Sequence, residues 1–316
     1  MKNYKGFKNH TMYKRTIILF SMCFFLANTI EAQSLKGSID GSDVWGAWLV
    51  KGTSKVWLVD EIPERTRLWD YEKNQVVASF EMKENVKSIN LLDDGSLAFI
   101  THHEKNELII LNEDGIVTKR KIKNNAPNYY IHPGGKYIFG SIFEGFVTYT
   151  IEEKKIAESK LNESITDYTS RFYKAGSPDV FLRKSNDVYQ KIDINSEGLL
   201  SVSRAYDKGN LLFNEAKNDF LLVSPKSYNS YSLSTLESKA NFDRNTSIDL
   251  YNGLYDSQDQ TVYYCKDGNI NTFDLKTEKD SKSVFLDVGD LIFEDRMGNT
   301  TIGFSEAKQK FYIIEL

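Results

Sequence analysis

The stretch SINLLDDGSLAFITHHEKNELIILNEDGIVTKRK, residues 88–121, decides the fold. It holds four short runs, Ser88 to Leu92, Leu97 to Thr101, Glu107 to Leu111 and Ile116 to Lys121, rich in the β-branched and aromatic residues that suit pleated backbone. Asp94-Gly95 and Asp114-Gly115 fall between runs, and both pairs tolerate the positive φ of a tight hairpin. Four antiparallel strands in one unit are therefore expected.

The next unit repeats the layout: Tyr129 to His132, a Pro133-Gly134-Gly135 turn, Tyr137 to Ser141, Gly145 to Thr150 and Ile156 to Lys160. Later units are looser but keep one mark, an apolar pair followed by a polar or acidic residue and a turn. The marks are Asp70, Asn112, Thr150, Asp193, Ser232, Asp274 and Glu315, with gaps of 42, 38, 43, 39, 42 and 41 residues. A blade of a β-propeller repeats about every 40 to 45 residues. The expected fold is thus all-β, a seven-bladed propeller of four-stranded antiparallel blades. All five prolines fall outside the strand-like runs, as they must if a central strand cannot give up a ladder donor. No segment longer than two turns spaces its apolar residues at the helical period.

The two ends support a closed ring. After Glu315 the chain stops without a fourth strand for its last unit, while Ser34 to Ile39 supplies a spare strand before the first unit begins at Trp45. Pairing those pieces would complete the last blade, and each sheet would then bury both faces against neighbours.

Two segments carry a resemblance. Leu92-Asp93-Asp94-Gly95-Ser96-Leu97-Ala98-Phe99-Ile100 and Ile131-His132-Pro133-Gly134-Gly135-Lys136-Tyr137-Ile138-Phe139 resemble the inner turn of YVTN-type and WD40-like propellers. Leu68-Trp69-Asp70 and Thr272-Phe273-Asp274-Leu275-Lys276-Thr277 are similar to the third-strand ending of the same group. Trp-Asp occurs once and no Gly-His pair precedes the first strands, so the YVTN-like description is the closer of the two. The resemblance implies a ligand face where second-to-third-strand loops and blade-joining loops gather. Some seven-bladed relatives of that type open sugar lactones, so a lactonase-like hydrolase is one implied alternative.

Residues 1–32 read as an export signal, leaving 33–316 as a single propeller domain. Lys14 and Arg15 form a basic start, Ile17 to Ala27 an apolar core, and Ala32 a small residue before a cut at Gln33. Eleven apolar residues are too few for a bilayer span, which takes about 20. Removing this segment leaves 35 Lys and Arg against 43 Asp and Glu, a balance of −8. Such a balance argues against a nucleic-acid partner, because counterion release needs clustered bases. The one basic run, Lys119-Arg120-Lys121, reads as a solvated outer edge. Cys265 would be the only cysteine of the mature chain, so no internal disulfide is expected, and a core of 284 residues must hold the fold alone.

The rim candidates are His102, His103 and Glu104; Phe143 and Glu144; Arg183 and Asp187; Tyr228; Lys266; and, on the joining loops, Tyr129, Tyr130 and Tyr206. Aromatic and mixed-charge residues around a concave face are the types that carry interface energy. His102-His103-Glu104 is the one cluster with metal-ligand or acid–base character. Neighbouring residues on an extended chain diverge, and no spacing marks further ligands, so no metal is expected. His132 belongs to the Pro-Gly-Gly turn and reads as structural. No nucleophile elbow, His-Glu-x-x-His pair or phosphate-cradling loop is present, so no catalytic residue and no cofactor is assigned. The four tryptophans, Trp45, Trp48, Trp57 and Trp69, share the first unit and read as packing between sheets.

The expected function is a periplasmic or secreted, non-catalytic binding or scaffolding module. It would present one loop rim to a protein partner or small ligand in the cell envelope, with no membrane insertion after cleavage. The hydrolase stays open as an alternative, as does a structural subunit of an envelope assembly that makes contact through outer strands.

Overall fold

The computed structural model describes residues 34–60, 65–81, 85–102, 106–122, 129–132, 135–142, 145–151, 155–160, 171–174, 180–185, 188–206, 209–214, 219–246, 250 and 252–316. The segment 1–32, expected as an export signal, therefore lies outside the described residues. Within them there is no α-helix, and all regular structure is strand.

Among the described residues, seven four-stranded antiparallel sheets follow one another along the chain. The first holds β2 (Val44–Leu49), β3 (Lys55–Asp60), β4 (Arg65–Asp70) and β5 (Gln75–Glu81), and the second β6 (Asn85–Leu91), β7 (Leu97–His102), β8 (Asn106–Asn112) and β9 (Gly115–Lys121). The third holds β10 (Tyr129–Ile131), β11 (Tyr137–Ile142), β12 (Gly145–Thr150) and β13 (Lys155–Lys160), and the fourth β14 (Arg171–Lys174), β15 (Val180–Ser185), β16 (Val188–Ile194) and β17 (Leu200–Tyr206). In the fifth are β18 (Asn210–Asn214), β19 (Asp219–Val223), β20 (Ser227–Ser232) and β21 (Ser238–Asp243); in the sixth, β22 (Leu254–Asp256), β23 (Thr261–Lys266), β24 (Asn269–Asp274) and β25 (Lys279–Phe285). The last sheet takes β26 (Ile292–Met297), β27 (Thr300–Ser305) and β28 (Lys310–Glu315) from one end of the chain and β1 (Ser34–Asp40) from the other. Ser34 stands opposite Glu315 and Asp40 opposite Lys310.

Burial explains why these residues form these strands. Middle strands are covered on both faces, so they read as near-continuous apolar runs: Asp219–Val223 is buried throughout, and Phe311–Ile314 is buried from end to end. Fourth strands such as β5 and β9 are largely exposed. The side chains between sheets form seven apolar clusters. Trp57 and Leu68 meet Phe99 and Ile109 between the first and second sheets, and Ile100 and Leu108 meet Tyr129 and Ile138 between the second and third. Phe139 meets Ile192, Tyr189 meets Phe220, Tyr228 meets Phe273, and Ile270 meets Tyr312 at the four following junctions. The seventh cluster packs Ile302, Phe311 and Ile313 of the last sheet against Ala47, Val56 and Trp69 of the first. Trp57, between the first and second sheets, and Trp69, between the last and the first, are both fully buried, each a side chain whose burial contributes on the order of 2 kcal/mol or more.

The repeating mark has a physical cause. In four sheets the marked side chain caps the tight turn between third and fourth strands. Asp70 accepts the amide of Lys73 at 3.2 Å, Asn112 those of Asp114 and Gly115, Ser232 that of Thr235, and Asp274 that of Thr277 at 2.7 Å. Asn74, Gly115, Leu236 and Glu278 then leave these turns with positive φ. In the fourth sheet the third strand runs on to Ile194, and Asn195 takes over the cap. Sequence reasoning placed the mark at Asp193, which keeps the register but does not cap.

Candidate binding rim

Within each sheet, one end carries the second-to-third-strand turn and the arrival of the chain from the previous sheet. In the first sheet this end is closed by charge. Asp60 is buried and its two carboxylate oxygens accept Arg65 Nε at 2.7 Å and Arg67 Nη2 at 2.6 Å, while Arg67 also reaches the Asp40 carbonyl of β1. Burying one carboxylate is tolerable because two guanidinium groups replace its water. Arg67 is mostly covered, whereas the Arg65 side chain stays 42% exposed.

At the same end of the fifth sheet, Ser224 closes the turn by accepting the Ser227 amide at 3.0 Å. Arg244 donates to the Ser224 carbonyl at 3.0 Å and its guanidinium lies 5.7 Å from the Tyr228 ring centre. In the sixth sheet Asp267 and Gly268, both at positive φ, form a two-residue turn between Lys266 and Asn269. Lys266 is exposed. Neighbouring Cys265 is half-buried, its thiol donating to the Gly289 carbonyl at 3.1 Å, and burial pushes its pKa up to about 11. At neutral pH it is a protonated thiol and a poor nucleophile.

The candidates taken from the sequence separate under this geometry. His103, Glu104, Phe143, Glu144 and Asp187 lie outside the described residues. His102 ends β7 opposite Asn85, Arg183 lies in β15 and Tyr206 ends β17; their backbones are placed, while their side chains lie outside the described structure. Lys266 is presented to solvent as expected of a rim residue. Tyr130, half-buried in β10, packs edge-on against Phe146 at 6.0 Å. Tyr129 and Tyr228 are corrections: both are buried in clusters between sheets, and Tyr228 packs against Phe273 at 6.3 Å. Alternation within a strand put these rings inward, a direction that a loop-level reading could not give. His132 is buried edge-on to Tyr137 at 5.6 Å, in the structural role expected.

Sequence reasoning missed the polar ties between first strands. Arg296 of β26 donates to the Tyr255 carbonyl at 3.2 Å and pairs with Asp256 of β22 at 3.3 Å, its guanidinium 5.7 Å from the Tyr263 ring centre. Asp295 accepts the Leu49 amide at 2.8 Å, and Asn90 donates to the Ile131 carbonyl at 2.9 Å. Each joins one sheet to the next, and only coordinates could single them out among so many charged residues. Among the described residues, no group of three or more His, Cys, Asp or Glu converges as a metal site.

Comparison with solved structures settles the architecture. The chain matches the crystal structure of the β-propeller domain of Myceliophteria thermophila Cps50 (Swd1) with a TM-score of 0.61, covering 90% of this chain and 100% of that one. The fold is a β-propeller. Sequence identity is 10%, so the likeness concerns the fold alone. No family model matches the chain, and no curated protein matches it either. The propeller's blades are small, four-stranded and antiparallel, and Lys266, beside the second-to-third-strand turn of the sixth sheet, is one of the exposed charges at that end.

Proposed function

We propose that the chain is an exported propeller of seven blades, of the degenerate YVTN-like type, closed by β1 and acting as a non-catalytic binding or scaffolding module. One loop rim would meet a protein partner or small ligand of the cell envelope. The observation that carries this reading is the unbroken round of seven apolar clusters, the last of which joins the final sheet to the first. Such a ring is rigid, and its turn segments are free to diverge for recognition without cost to the core. The Arg244, Arg296 and Asp60 groups are spent on holding turns and sheets in place, which leaves exposed side chains such as Lys266 for contact.

The test is affinity capture from envelope extracts with the wild-type chain and with rim variants Lys266→Ala and His103→Ala/Glu104→Ala. A component retained by the wild type and lost from the variants is expected. Identical capture by all of them, with unchanged fitness, would contradict the rim. A second reading, a structural subunit of an envelope assembly, draws support from exposed aliphatic side chains on outer strands, among them Ile116 and Val117.

A further inference from the structure

Among the described residues, every large apolar side chain exposed to solvent except Phe285 stands at one corner of the fold. It is the corner where a fourth strand leaves the turn from the third, at the end of the sheet opposite the rim. Leu35 occupies it in the last sheet, Val76 and Val77 in the first, Ile116 and Val117 in the second, Ile156 in the third and Leu199 in the fourth, with exposures from 37% at Ile156 to 61% at Val117. Val77, Val117 and Ile156 have no opposite residue on the third strand, because the ladder slips there, and such a bulge bends the strand. The matching positions of the fifth and sixth sheets are Lys239, which holds Asp219 at 2.5 Å, and Asp280, which accepts the Tyr264 hydroxyl at 2.9 Å. Exposed apolar residues scattered singly are ordinary, but aliphatic residues gathered at one corner of five neighbouring sheets make a surface.

Geometry and charge narrow what can cover it. Corners of separate sheets cannot all pair with one extended chain, whereas corners at the same end of a ring lie at one level along its axis and meet a flat body together. Nearby bases are already paired: Lys36 with Glu315 at 2.5 Å, Lys73 with Asp70 at 2.9 Å, Lys155 with Glu158 at 2.8 Å, and Lys55 with Glu113. Glu72, Asp114 and Glu197, in the turns before these strands, are exposed and meet no base among the described residues. A flat apolar body that carries no net negative charge is a zwitterionic lipid surface.

The chain itself leads there. β1 begins at Ser34, beside Leu35, and only residues 28–33 separate it from the apolar run Ile17 to Ala27. Six residues span at most about 20 to 22 Å. An export segment held in a bilayer therefore delivers this corner to the bilayer's surface.

We propose that the corner from Leu35 to Leu199 rests on a zwitterionic bilayer surface, without inserting a strand or helix, and turns the rim away from the lipid. The inference rests on the reading of the chain as an exported, closed ring that binds through its rim, and adds where that ring is held. The aliphatic side chains enter the boundary between headgroups and acyl chains, while polar turns such as Glu72-Lys73-Asn74 stay among the headgroups.

The probe is phosphatidylcholine vesicles, and the protein is the chain beginning at Gln33, so that the apolar run cannot contribute. In flotation the wild type should travel with the vesicles. Val76→Ser/Ile116→Ser/Val117→Ser should lower partitioning about tenfold through lost apolar burial, with an unchanged thermal melt, whereas Phe285→Ser should not alter it. In a Cys265→Ala background, a polarity-sensitive label at Val117→Cys should shift to the blue when vesicles are added, and the same label at Lys266→Cys should not. Phosphatidylglycerol in the vesicles should weaken binding, because the three acids repel it. The proposal is overturned by a wild type that stays soluble, by a triple-serine variant that floats as well as the wild type, by equal shifts of the two labels, or by tighter binding to phosphatidylglycerol. Serine-sensitive dimerisation without lipid, or serine-sensitive capture of a protein by a chain that ignores vesicles, would overturn it too. Capture of a partner through Lys266 is independent of all these results, so the rim and the lipid contact fail separately.

Discussion

The Asp295 carboxylate accepts the backbone amide of Leu49 at 2.8 Å, so a side chain of the last sheet ties down the first strand of the first sheet. Removing the acceptor leaves a part-buried amide without its partner, which costs about 1 to 3 kcal/mol. Asp295→Ala should destabilise the chain by that order in denaturant unfolding. Asp295→Asn, which keeps an acceptor oxygen, should cost less.

Tyr228 tests whether the aromatic residues taken for rim groups belong to the core. Its ring is fully buried while its hydroxyl makes only a 3.4 Å contact with Thr246. Tyr228→Ala should cost about 3 to 5 kcal/mol, as other deletions of buried aromatic rings do, and Tyr228→Phe should stay close to the wild type. Equal tolerance of both would place the ring outside the core.

The capped turns carry a pH signature. The Lys73 ammonium, 2.9 Å from Asp70, lowers the carboxyl pKa from 3.8 to about 2, aided by the Lys73 amide and Ser54 hydroxyl against the cost of burial. A carboxyl lowered by folding stabilises fully above its unfolded pKa, and that contribution disappears as pH falls through the folded one. The melting temperature of the wild type should therefore exceed that of Asp70→Asn above about pH 4, with the difference shrinking toward pH 2. A gap independent of pH over this window would assign the effect to packing instead.

Cys265 should resist alkylation. With its pKa pushed up to about 11 by burial, its reaction with iodoacetamide at pH 7.5 should be slow in the folded chain and rapid once the chain is unfolded. Rapid labelling of the folded chain, read by mass spectrometry, would contradict the burial.

Export is testable in the same way. Secretion by a bacterial host should yield a mature chain beginning at Gln33, and an intact N-terminus would set that reading aside.

Much of the fold was legible because its signal is repetitive. The four runs between Ser88 and Lys121 correspond to β6 through β9 within a few residues, and four of the marks, Asn112 and Asp274 among them, recur because a side chain there caps the turn that ends a third strand. The slip between Leu68 and Trp69, or between Ile110 and Leu111, left no trace in the sequence, since a bulge exists only relative to a paired strand. The same holds for Arg296 and Asp256, which are ordinary charged residues until two sheets bring them together. Of the rim, residue type and loop position could be read, whereas the inward direction of Tyr129 and Tyr228 depended on strand phase.

The central claim is that opposite ends of the chain share one sheet and so close the ring. The most direct measurement compares the thermal melt of a chain beginning at Ser34 with one beginning at Gly41, which lacks β1. Losing that strand exposes Phe311 and Tyr312 and breaks the ladder from Ser34↔Glu315 to Asp40↔Lys310. At about 2 to 4 °C per kcal/mol for a chain of this size, a drop of roughly 10 °C or more is expected. Coincident melts would contradict the closure.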